Sequence, residues 1–224
     1  IFTTNQGVFV TSHSNHRTKQ LLEGKFYGIT KYRDYWILAR SNNYRPTNVP
    51  NDKSRRQSDI CAIKLAENEI DEYFVLLWGI PGEIHQIDVF KDKLYMPHTG
   101  FNQVLSILLS KLFRDDKPIQ KPRTILACQS ITLKIQSPSH LNSIFHSEET
   151  GITYIIAHNS TAHTGRSSDI LLLYEDSSNV TIRNTQAHSA HNVCEFGGKI
   201  VYCDSNNWRL MREDGCIFET NMLL

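Results

Sequence analysis

GEIHQIDVFKDKLYMPHT, Gly82 to Thr99, reads as two β-strands around a tight polar turn, with His85 near its start and His98 near its end. Three other stretches share the pattern: FYGITKYRDYWILARSN (Phe26 to Asn42), HLNSIFHSEETGITYIIAHN (His140 to Asn159) and AHNVCEFGGKIVYCDSN (Ala190 to Asn206). Tyr27 to Arg40, His85 to His98 and His191 to Asp204 are each thirteen residues apart, and His140 to His158 is eighteen because its turn is longer. A hairpin recurring with polar residues at matching ends is the signature of an internal repeat.

Working outward, each hairpin is followed by two more alternating segments. SDICAIKL and YFVLLWGI complete the first set, QVLSILLS and SITLKIQ the second, SDILLLYE and NVTIRN the third, WRLMRE and CIFETN the fourth. RQSDICAIKL and RSSDILLLYE match closely at the third-strand position, a second and independent sign of repetition. QVLSILLSKLF is nearly continuous in apolar residues, so periodicity alone fits a helix as well; the repeat favours a strand. The opening segments GVFVTSH and TKQLLEG pair as a further hairpin.

Four-stranded antiparallel units repeated along a chain cannot bury both faces singly, and packed radially they can. The pattern therefore resembles the β-propeller architecture, over nearly the whole chain, and implies an all-β fold of four-stranded antiparallel blades. It carries neither the WD dipeptide nor a glycine pair at a fixed place in each repeat. The expected layout is one domain over 1–224, with blades at 26–80, 81–138, 139–188 and 189–224. Residues 1–25 would be the outer hairpin of a closing blade whose inner strands follow Leu224 in a longer chain. That makes a five-bladed ring; a four-bladed ring with an added hairpin is the alternative, and a two-sheet sandwich the third reading.

Composition sets the outer bounds. With 224 residues, 40% hydrophobic and 10% aromatic, the chain can bury a substantial core. A net charge of +1 argues against a general nucleic-acid or membrane-surface binder. No apolar run approaches a membrane span, and IFTTNQGVFV lacks the basic start and apolar stretch of a signal peptide. Five cysteines, odd in number and without a CxxC pair, are expected to be free, which suits a cytoplasmic location.

The functional expectation follows from the repeat. In a propeller the first strand of each blade begins at the face where the second ends, so Tyr27, His85, His140 and His191 would meet Arg40, His98, His158 and Asp204 at one channel mouth, with Gln86, Asn142 and Asn192 beside them. A single strand-end histidine is usually a structural, hydrogen-bonded residue. Here the strand-end position varies from Arg to His to Asp, as in a shared scaffold carrying different tasks.

Three chemistries fit. His85, His98, His140, His158, His191 and Asp204 can be read as ligands of one divalent metal, Zn, Mn or Fe; this resembles the propeller lyases, in which channel-mouth histidines and a metal act on a polar substrate. Without metal, His85, His98 or His158 would be an acid or base, with Arg40 stabilising negative charge and Tyr27 assisting, as a lyase or hydrolase requires. As a binding module, Gln86, Asn142, Asn192 and the loop residues Arg56 and Arg166 would hold a small polar or anionic ligand, a saccharide or sugar acid among them. Neither nucleic acid nor membrane is an expected partner.

Overall fold

Strand period and turn chemistry divide the chain into five successive antiparallel sheets with the strand order of propeller blades, as seen in a computed structural model that describes residues 1–12, 16–42, 57–136, 139–174 and 179–219. The first sheet holds β1 (Phe2–Thr3), β2 (Gly7–Thr11) and β3 (Thr18–Glu23) in that order. The second is the meander β4 (Lys25–Tyr32), β5 (Tyr35–Asn42), β6 (Gln57–Ala66) and β7 (Glu69–Pro81). The third contains β8 (Glu83–Ile84), β9 (Asp88–Phe90), β10 (Lys93–Thr99) and β11 (Gln103–Leu108); after a small hairpin of β12 (Phe113–Arg114) and β13 (Lys117–Pro118) it ends with β14 (Gln129–Thr132). The fourth is β15 (Leu141–His146), β16 (Ile152–Ala157), β17 (Asp169–Tyr174) and β18 (Val180–Asn184), and the fifth β19 (Ala190–Phe196), β20 (Lys199–Asp204), β21 (Arg209–Arg212) and β22 (Gly215–Glu219).

The fold class expected from the repeat is thus the fold observed. Three details differ. The opening hairpin is a three-stranded sheet, because Phe2 and Thr3 pair with Phe9 and Val8. EIHQIDVF is two short strands rather than one, with residues 85–87 outside both. QVLSILLSKLF leaves the extended conformation after Leu108 and makes a 3-10 turn over Leu109–Lys111 that buries Leu109. Four hairpins close on two residues that both have positive φ: Glu67 and Asn68, Lys91 and Asp92, Asp115 and Asp116, Gly197 and Gly198. This is the turn whose twist matches that of paired strands, and Lys91 and Asp92 supply it in the opening stretch.

Residues 1–95 and 106–129 form one compact unit, and residues 96–105 and 130–224 another. In the first, Val8, Phe26, Leu38, Cys61 and Ile63 form a core. In the second, Tyr154, Ile156, Ile170 and Leu172 of the fourth sheet pack against Ala190, Val193, Ile200, Tyr202 and Met211 of the fifth. Residues two apart on one strand share a face, so the alternating pairs Tyr154 and Ile156, Ile170 and Leu172, and Ile200 and Tyr202 build that contact. Fully burying each aliphatic side chain stabilises by about 1.5–3 kcal/mol. Among the described residues all five cysteines are free, and no helix is long and apolar enough to cross a membrane.

Candidate ligand-binding site

The first strand of each of the four repeats is irregular at the same place. Register shifts fall between Phe26 and Gly28, Leu141 and Ser143, and His191 and Cys194, and residues 85–87 lie between two strands. An extra residue in a strand bends it and re-aims its side chains. The positions affected include Tyr27, His85, Gln86, Asn142 and Asn192, all singled out by the repeat.

In the unit formed by 96–105 and 130–224, three imidazoles come together. His140 precedes β15 with φ of 50°, and His158 follows β16. The His158 amide donates to the His140 carbonyl at 3.1 Å and the Asn159 amide to Ser139 at 2.7 Å, continuing the ladder past both strands. Their rings then lie 4.8 Å apart between centroids at 33°. The His191 ring, from β19 of the next sheet, meets His158 edge-on at 5.1 Å and 76°.

His191 is held by its own backbone. Its Nδ1 is 2.6 Å from the Ser189 carbonyl and 2.9 Å from Ser205 Oγ. A carbonyl can only accept, so Nδ1 carries the proton and, in the neutral ring, Nε2 keeps a lone pair. Burial pushes the pKa of His191 down from 6.5, against the opposing pull of the Ser189 carbonyl. The unfolded chain therefore takes up this proton more readily than the folded one, and the stability present above about pH 6.5 is lost as pH falls. Denaturant titrations at about pH 7.5 and about pH 5.5 should show a smaller loss in His191→Gln than in the parent; equal losses would remove this group from the acid response.

Other expected residues have different surroundings. Tyr27 stacks on His85 at 4.8 Å and 15°, with Glu83 Oε2 4.0 Å from His85 Nε2. His98 is buried and stacks on Phe101 at 4.3 Å. Asn142 is buried and accepts from Ser143 Oγ, while the Asn192 amide donates to that same Oγ at 2.7 Å. Asp204 is buried and accepts from the His188 amide at 3.0 Å and from Asn207 Nδ2 at 2.8 Å, so its carboxylate anchors its own loop. Arg40 donates to Asp59 at 2.6 Å and to the Tyr73 hydroxyl at 3.0 Å; its charge is already matched. Arg56 lies outside the described residues, and Arg166 lines a cavity taken up below. Among the described residues no three His, Cys, Asp or Glu side chains are grouped to hold a metal ion.

Two residue pairs carry more of the architecture than the sequence suggested. Asp59 takes Arg40 and Asn42 from β5 on Oδ2 and the Gly79 amide of β7 on Oδ1. Asp169 takes Asn159 on Oδ2 at 2.7 Å and Asn184 on Oδ1 at 2.5 Å. In both cases the third strand's carboxylate fastens the second and the fourth. The preceding serines reach forward: Ser58 Oγ accepts from the Ile84 amide at 3.0 Å and Ser168 Oγ from the Ala190 amide at 2.9 Å, each at the start of the following sheet. The Ser-Asp dipeptide shared by RQSDICAIKL and RSSDILLLYE was the available signal.

No family model matches the chain, and no curated protein matches it in sequence. Solved structures that share the fold include a protein of unknown function from Bacteroides caccae, 10% identical with a TM-score of 0.57 over 97% of this chain and 76% of that one. An auxiliary nutrient binding protein from Bacteroides thetaiotaomicron is 11% identical, TM-score 0.56, over 97% of this chain and 57% of that one. A protein from Bacteroides uniformis provisionally described as a 6-phosphogluconolactonase is 8% identical, TM-score 0.56, over 98% and 65%. The chain thus spans just over half to three-quarters of these proteins, and at such identities the likeness is one of fold.

Proposed function

We propose that this propeller chain binds a small polyhydroxylated molecule of saccharide type on the imidazoles of His140, His158 and His191. The observation that carries the reading is the convergence of three rings from β19 and from the ends of β15 and β16, with centroids 4.8 and 5.1 Å apart. Flat rings offer their faces to the C–H side of a sugar, and ring nitrogens donate to and accept from its hydroxyls. One structural neighbour is named as an auxiliary nutrient binding protein and another provisionally as a 6-phosphogluconolactonase.

A second reading rests on the fixed tautomer of His191: Nε2 is a base aimed by its Nδ1 hydrogen bond, suited to taking a proton from a bound hydroxyl, or from water attacking an ester. Isothermal titration of a panel of monosaccharides and sugar acids tests the binding reading. His158→Ala should weaken any binding by about tenfold or more while leaving the thermal midpoint nearly unchanged. Undiminished binding in His158→Ala would overturn the proposal. A product formed by the parent and not by His191→Gln would add the catalytic role.

A further inference from the structure

We propose that the cavity bounded by Asn159, Arg166 and Asp169 is a second binding site, for the zwitterion of an α-amino acid with a small aliphatic side chain. The cavity has a volume of about 290 Å³ and none of His140, His158 and His191 lines it. Its floor is one face of the fourth sheet. Ala157 pairs with Asp169, Asp169 with Asn184 and Leu171 with Ile182, and these residues alternate with core residues such as Ile170 and Leu172. Ile135, Gln136 and Ser139 bound it from the segment leading into β15, and Arg166 and Ser167 from the segment leading into β17.

The polar wall is unbalanced toward acceptors. Asn159 is 1% exposed and its Nδ2 donates to the Ser167 carbonyl and to Asp169, yet its Oδ1 is buried without a hydrogen-bond partner. Flipping the amide would set its oxygen against two acceptors, so the orientation is fixed and the missing partner is a donor. The Asp169 carboxylate accepts from Asn159 and Asn184, which occupies two of its roughly four acceptor directions. An ammonium group brings N–H donors and one positive charge to the open directions of that carboxylate.

Arg166 supplies the opposite half. It makes no ion pair among the described residues, and its planar fork matches a carboxylate in two parallel hydrogen bonds. Ile135, Leu171 and Ile182 leave an aliphatic surface beside the charged groups. A simple anion would face Asp169, and a simple amine would leave Arg166 unmatched. A molecule carrying both charges and a small apolar branch matches Asp169, Arg166 and the aliphatic residues together.

Isothermal titration of the purified chain with L-leucine tests the site, using 4-methylpentanoate, which lacks the ammonium, and isopentylamine, which lacks the carboxylate. L-Leucine should bind, both analogues should bind about tenfold more weakly or worse, and Arg166→Gln should reduce leucine affinity by a similar factor. His158→Ala, which tests the imidazole cluster, should leave leucine binding intact, so the two sites fail separately. No leucine binding at millimolar concentration, equal binding of isopentylamine, or full affinity in Arg166→Gln would each overturn the proposal.

Discussion

Gly28→Ala is expected to destabilise the chain by about 3 kcal/mol, read as a fall in the midpoint of a denaturant titration. A Cβ at this position would stand 2.1 Å from the His85 carbonyl oxygen and 3.1 Å from both the His85 carbonyl carbon and the Ile87 amide nitrogen. All three atoms are backbone, so no side chain can swing away. The bulge between Phe26 and Gly28 brings β4 against residues 85–87, and only a residue without a side chain permits that approach. Gly151→Ala is the matched control. Its φ of 68° disfavours a side chain, but nothing lies within 4 Å of the added atom, so the cost should be about 1 kcal/mol. Equal losses in the two variants would show that close approach is not what Gly28 provides.

The second large effect is expected at Asp169. Asp169→Ala removes the acceptor of both Asn159 Nδ2 and Asn184 Nδ2. Hydrogen bonds to a charged group contribute about 1.5–3 kcal/mol each, and a buried donor left unmatched costs more than a bond merely lost. Asn184 is exposed and regains water, so a net loss of about 2–4 kcal/mol is expected. Asp169→Asn keeps an acceptor and should lose less. A thermal midpoint unchanged in Asp169→Ala would mean that the carboxylate does not fasten β17 to its neighbours.

The repeated hairpins were legible because strand alternation and polar turns are local properties. His85, His98 and their relatives stood out for the same reason: a spacing of thirteen residues is visible without coordinates. What each side chain does there was not legible, since it depends on atoms brought in from other strands. Arg40 looked like a free cation for substrate, and it is matched by Asp59, nineteen residues away. Asp204 looked like a metal ligand, and its two oxygens serve a loop amide and Asn207. Asn159 was overlooked beside His158, because an amide draws notice only when one of its atoms is seen to lack a partner. The inner-strand bulges were also hidden: a single extra residue leaves the hydrophobic pattern nearly intact while changing which way the neighbouring side chains point.

The forward reach of Ser58 and Ser168 gives the chain a direction in time. During synthesis a third strand emerges with a hydroxyl whose amide donor lies twenty-six or twenty-two residues further on. Until that next segment leaves the ribosome the strand can pair with its own sheet, but its serine oxygen lacks that donor. The second and fourth sheets are therefore each finished by their successor, two clasps closed from behind, the newer strand securing the one before it.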